Sequence, residues 1–278
     1  IQHGVDPINA IQMASFSAAE CYGLQNKGAI APGYDADFLI LTNLTQVEIE
    51  EVYSAGKQVA QNGKYLNQDG YEATLGKSLK SSVNMKKVTA EQLQIKLQES
   101  SSAHVIEIIP NSLVTKHLVE EVEVMNNCFQ PSIEMDQLKL AVIERHHQTG
   151  HIGLGIVKGL EIQKGAIATT IAHDSHNIIT AGTNDRDMLY AIEAIKEMGG
   201  GLVIVENEKV IASLALPIAG LISDEPAEKV YSELLKLKKG LEFIGASKEF
   251  NPFLTLSFLA LPVIPDLKLT DMGLFDVK

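Results

Sequence analysis

The chain has 278 residues, with 23 Lys and Arg against 35 Asp and Glu, for a formal net charge of −12. That length allows about two domains with real cores, and so acidic a balance without clustered basic residues excludes a general nucleic-acid binder. The uncharged stretches near 210–223 and 251–265 are broken by proline and too short to span a bilayer, so no membrane partner is expected and both read as buried strands or core segments.

The chain opens on Ile1 without an initiator Met and with no signal peptide, which reads as a product missing something upstream. Asp6-Pro7 opens a helix, with Asp as the cap and Pro at the first helical position. Ser17-Ala18-Ala19-Glu20 fits a capping box and predicts a second short helix to about Leu24. Met13, Met188 and Met198 are read as core residues. From 25 to 70 the pattern turns to β. Pro32-Gly33 suits a tight turn, 36–41 is a short strand, and Val47 with Ile49 alternates as in another. Asn62-Gly63, between 58–60 and 64–66, favours a type I′ hairpin. Gly28, Gly33 and Gly165 are turn glycines and make no nucleotide-binding fingerprint.

Residues 71–87 are polar and are expected to be a linker. Beyond them, strands are expected at 104–109, 119–124 and 138–143, with His104 and His117 as ordinary strand residues. The β-prone run 167–172 breaks abruptly into His173-Asp174-Ser175-His176-Asn177. The clearest helix spans 185–198, with Met188, Leu189, Ile192, Ile195 and Met198 on one face, Asp185 as a cap and Gly199-Gly200-Gly201 as its stop. Segments 202–205 and 210–214 form a hairpin, and a helix over 223–241 starts at Ser223. Strands and helices mix without a regular βαβ repeat, so the fold class is α+β.

Cys21 and Cys128 are isolated, giving neither a disulfide framework nor a CxxC pair, which fits reduced thiols in the cytoplasm. The leading candidate site is His173, Asp174, Ser175, His176 and Asn177, whose side chains bind metals, move protons or hydrogen-bond a heterocycle. The plainer alternative is a turn whose polar groups satisfy one another. A metal held by His173 and His176 would need a helix there, which the strand-like lead-in disfavours. Arg145 and His146 are secondary candidates, against the alternative of an exposed polar turn. His147 and His151 would share a metal only on a helix, and Thr149 and Gly150 argue for a loop. Asn184 beside Asp185 could present a helix N-terminus to a polar ligand, although capping alone explains both.

Gly4-Val5-Asp6-Pro7 with Ala10-Ile11-Gln12-Met13-Ala14-Ser15 resembles the segment that closes the catalytic barrel of amidohydrolase-superfamily enzymes. The stretch 28–41 resembles their re-entry into a small β-sandwich. Glu144-Arg145-His146 and the stretches 164–177, 199–201, 217–223 and 256–271 resemble the C-terminal domain of bacterial adenine deaminases. The resemblance covers essentially the whole chain. It implies terminal barrel helices over 1–24, a β-sandwich module over 25–70, the linker over 71–87 and a family-specific α+β domain over 88–278. It also implies hydrolytic deamination of adenine to hypoxanthine and ammonia, with a divalent metal (manganese, iron or zinc) in the barrel activating water. The barrel's His-x-His signature does not occur in this sequence. No metal ligand is therefore assigned here, and the fragment alone is expected to be inactive, with the 173–177 loop expected to lie over the barrel mouth. Adenine is the expected substrate, with another cyclic amide or aminopurine as the alternative. A homo-oligomer is the expected assembly, burying 256–263 or a similar surface.

Overall fold

In the computed structural model, which describes residues 1–66, 80, 82–97 and 101–277, the chain divides into two units, Ile1–Thr74 and Leu75–Lys278. The first begins as its sequence requires. The Asp6 carboxylate accepts the Ile8 and Asn9 N–H groups, and Pro7 takes the first position of α1 (Pro7–Gln12). The helix then runs unbroken through a π-helical turn (Met13–Ser17) into α2 (Ala18–Cys21). Ser17 has helical torsions and accepts no capping bond. The expected second helix is thus a continuation of the first, and it stops at Cys21. Met13 is 64% exposed rather than part of a core.

Strands β1 (Phe38–Asn43), β2 (Glu48–Ser54), β3 (Lys57–Gln61) and β4 (Lys64–Tyr65) pair in sequence order. Among the described residues this is one antiparallel sheet, not two facing sheets. Asn62 and Gly63 both adopt positive φ, the requirement of the type I′ turn between β3 and β4. Val47 also has positive φ and stands outside β2, contrary to the alternation read for it.

The larger unit is organised by β9 (Leu138–Ile143), all six residues of which are buried. Leu138, Leu140 and Val142 join one core cluster, whereas Ala141 and Ile143 join another. A period of two thus serves both faces of a covered sheet. The sheet comprises β5 (Ser102–Ile108), β6 (Thr115–Glu121), β9, β10 (Ile152–Lys158), β11 (Ala166–Thr169), β12 (Ile178–Gly182), β13 (Gly201–Glu206) and β14 (Lys209–Ala215). Their spatial order is β14-β13-β11-β12-β9-β10-β5-β6. All neighbours pair antiparallel except β5 with β10. On one face lie α4 (Ala227–Phe243), α5 (Pro252–Phe258) and the hairpin of β15 (Leu267–Thr270) and β16 (Gly273–Asp276); the other face is covered by α3 (Asp185–Glu197). A separate hairpin, β7 (Glu123–Met125) and β8 (Cys128–Gln130), completes the strands.

Several expectations change here. Of the stretch read as a linker, 71–79 and 81 lie outside the described residues, while Met85 is buried against the α3 layer. The strand expected at 119–124 splits at the buried Val122. Ser223 does not start α4: the cap position is Pro226, and the Ser223 hydroxyl accepts the Glu225 N–H in the preceding turn. Part of 251–265 is helix α5 rather than a strand, because the Asn251 side chain accepts the Phe253 and Leu254 N–H groups and Pro252 follows at the first position. Leu256, Leu259, Ala260 and Leu261 are buried in the core, so they cannot serve as the oligomer surface expected at 256–263.

Candidate functional site

The loop 173–177 joins β11 to β12, and β12 pairs antiparallel with β9 so that Ile178 stands opposite Ile143. This register delivers Glu144, Arg145 and His146, which follow β9, to the same end of the sheet as the loop.

Arg145 is 1% exposed and meets no carboxylate among the described residues. Its Nε donates to the His176 carbonyl at 2.5 Å, Nη1 to the Ser82 carbonyl at 2.8 Å and Nη2 to the Ala219 carbonyl at 3.1 Å. One guanidinium therefore ties together three segments distant in sequence. Burial lowers its pKa to about 10, still well above neutrality, so the charge persists. Gly220 makes room for it, since a Cβ there would lie 2.8 Å from Nη2. The Thr170 hydroxyl holds that glycine by donating to its carbonyl at 2.5 Å and also accepts the Gly201 N–H.

Glu144 shapes the turn beside the loop. Its carboxylate accepts the N–H groups of His146, His147 and Thr149 at 2.5, 2.6 and 2.9 Å, and the Thr149 hydroxyl at 3.1 Å. Burial pushes its pKa up, but these four hydrogen bonds outweigh burial and hold it at about 2. His146 Nε2 donates to the Ser175 carbonyl at 2.8 Å, which adds a second tether to the loop.

Within the loop, Asp174 and Ser175 are exposed. The His173 ring packs on Phe258 with centroids 4.6 Å apart. His176 adopts φ +51°, an uncommon conformation for a side chain of its size. Burial, then the neighbouring His173 and Arg145, lowers its pKa against an opposing pull from Asp174. Asn177 is 3% exposed and donates through Nδ2 to Asp271 Oδ1 at 3.2 Å. Among the described residues, four buried side-chain polar atoms have no hydrogen-bond partner. Three of them, His176 Nδ1, Asn177 Oδ1 and Ser82 Oγ, belong to the loop or to a residue tied to it through Arg145. Unmet buried valences are uncommon, and three of the four are gathered here.

The structure separates Asn184 from this cluster. It sits beyond the far end of β12, where its side chain accepts the Asp187 N–H and donates to the Asp187 carboxylate. Asn184, not Asp185, is the cap of α3; Asp185 instead pairs with the buried Lys139. Asn184→Ala is expected to cost about 1 kcal/mol of stability, the usual loss for a cap, read as a lower urea midpoint. His147 is exposed, and His151 Nδ1 lies 3.6 Å from Asp271 Oδ2. No three His, Cys, Asp or Glu side chains come together as a metal set among the described residues.

Reading the sequence by residue type missed Glu144, Ser82, Thr170 and Asp271 as members of the cluster. Glu144 left a signal, a carboxylate at a strand end just before a Gly-containing polar turn. Ser82 left none, because it contributes a backbone carbonyl.

The adenine deaminase C-terminal domain model matches residues 112–278, and the amidohydrolase family model matches residues 2–59. The chain is 52% identical over 277 residues to an adenine deaminase of Halalkalibacterium halodurans and 52% over 279 to one of Geobacillus kaustophilus. It is 48% identical over 280 residues to one of Bacillus subtilis. In each case all of this chain is covered, and it spans about half (47–48%) of the length of these curated relatives.

Proposed function

The chain belongs to the adenine deaminase C-terminal domain family, and from that premise we propose that it is the C-terminal part of a hydrolase converting adenine to hypoxanthine and ammonia. The observation that carries the site assignment is the pair of unpartnered buried atoms, His176 Nδ1 and Asn177 Oδ1, on a loop clamped by Arg145. An amide oxygen and an imidazole nitrogen match the donor and acceptor edge of an aminopurine. In this reading the loop 173–177, with Arg145 and His146 behind it, positions the purine against a catalytic centre supplied by residues outside this chain.

A divalent metal, of the manganese, iron or zinc kind, would supply activated water at that centre. The loop itself does not fit a resident metal. His173 is packed on Phe258, and His176 lies beside a buried cation. The part left to this chain is binding, orientation and exclusion of water. His176, held neutral, is suited to hydrogen-bonding a neutral base rather than to carrying a charge. Homo-oligomeric assembly and a cytoplasmic location belong to the same reading, and the two free thiols support the latter.

Asp174 is exposed, so its replacement spares the core. In the full-length enzyme, Asp174→Ala and His176→Asn are expected to lower kcat/KM for adenine by about 100-fold, the scale of a displaced positioning group. Normal adenine turnover in variants with an unchanged melting curve would end this assignment.

A further inference from the structure

Away from the loop, the larger unit brings two other histidines together. Residues of β5 and β6 pair so that His117 opposes Ile106 and His104 opposes Val119. His104 and His117 are therefore diagonal neighbours on one face of the sheet. His104 Nδ1 lies 2.7 Å from His117 Nε2, with ring centroids 4.8 Å apart and planes inclined by 50°. The other nitrogen of His117, Nδ1, lies 4.0 Å from Asp276 Oδ2 at the end of β16. His104 is exposed, and the His117 and Asp276 side chains are 27% and 44% exposed, so solutes reach the pair.

We propose that His104 and His117 form a site for a divalent transition metal, of the copper or nickel kind, with the Asp276 carboxylate near the far nitrogen of His117. Two imidazole nitrogens bound at about 2.0–2.1 Å stand about 2.9 Å apart at a right angle and about 3.3 Å apart in a tetrahedron. The 2.7 Å between the hydrogen-bonded nitrogens is shorter than either and closer to the first, so the smaller opening of the pair gives the tetragonal geometry that nitrogen donors offer copper(II) and nickel(II). In the metal-free pair one ring nitrogen donates a hydrogen bond to the other; a metal bound to one side of the line between them replaces that hydrogen bond, the proton moves to the other nitrogen of the donor ring, and water fills the remaining positions. A carboxylate that accepts the far N–H of a ligating histidine fixes its orientation and raises its basicity, a role Asp276 takes on by closing from 4.0 Å when the metal binds. Both ligands stand on paired strands, so little ordering is needed on binding. Through Asp276, metal bound there would tie the β5–β6 edge to the C-terminal hairpin.

The test is titration of the intact protein with copper(II), followed by calorimetry and electron paramagnetic resonance. Wild type is expected to take up one equivalent showing two nitrogen ligands, and that equivalent disappears in His104→Ala and in His117→Ala. Asp276→Asn should weaken it by about 10-fold, and His147→Ala, an exposed histidine elsewhere, should leave it intact. Nickel(II) should raise the melting temperature of wild type but not of the two alanine variants. Equal metal uptake by wild type and both alanine variants, or no nitrogen-ligated copper in wild type, overturns the proposal.

Discussion

Arg145→Ala is expected to lower the stability of the larger unit by about 3 kcal/mol and to release the 173–177 loop. Removing the guanidinium strips donors from three carbonyls, those of Ser82, His176 and Ala219. Each unmet buried acceptor costs about 1–3 kcal/mol. Against this stands the desolvation cost of the cation itself, which the variant no longer bears. The carbonyls win because three are orphaned at once and the side chain is replaced by a void beside Gly220. Urea denaturation reads the loss, and hydrogen exchange at His176 and Asn177 reads the loosening. Arg145→Lys should not rescue either, because one ammonium cannot reproduce a rigid fork aimed at three directions. A wild-type urea midpoint for Arg145→Ala would refute the clamp.

Glu144→Gln is expected to cost about 3 kcal/mol at neutral pH and to flatten the acid limb of the stability curve. The carboxylate is held at about 2, below its ordinary 4.5. A depressed folded-state pKa means that the unfolded chain takes up the proton first. The stabilisation is therefore complete above about pH 4.5 and is lost as pH falls towards 2. At 1.36 kcal/mol for each tenfold change in proton affinity, that gap amounts to about 3 kcal/mol. Glutamine presents one oxygen and an NH2 group to donors that all need an acceptor, so it loses this contribution. Wild type and variant should differ most above pH 5 and converge near pH 2. Parallel curves across that range would show that the Glu144 hydrogen bonds do not set the acid limb.

Much of the local structure was legible in the sequence because its signals are local. Asp6-Pro7, Asn62-Gly63 and the apolar stripe of α3 act within a few residues of themselves, and the elements they predict are present. The failures share a different cause. Ser17 looked like a cap because a capping box is only a spacing, and the residues before it are equally able to stay helical. Asn251 carries the true cap of α5, yet the apolar run after it also suited a buried strand, and only packing decides between them. The same limit applied to the candidate site. Arg145, His146 and the 173–177 loop could be named by residue type, but their meeting depends on the pairing of β9 with β12. Asn184 resembled them in chemistry and lies at the opposite end of the sheet for the same reason. His104 and His117 read as ordinary strand residues because a diagonal contact needs a register, which composition does not carry.

The three partners of Arg145 stand 31, 63 and 74 residues away along the chain. No short segment can therefore form this junction on its own. Closing such long loops is entropically unfavourable until other contacts hold their ends, so non-local junctions of this kind assemble late. The 173–177 loop then becomes ordered only when the strands on either side of it, the segment at 82 and the turn at 219 are all in place. Order at His176 and Asn177 is in this sense a signature of a finished domain, and a nascent or truncated chain would lack it.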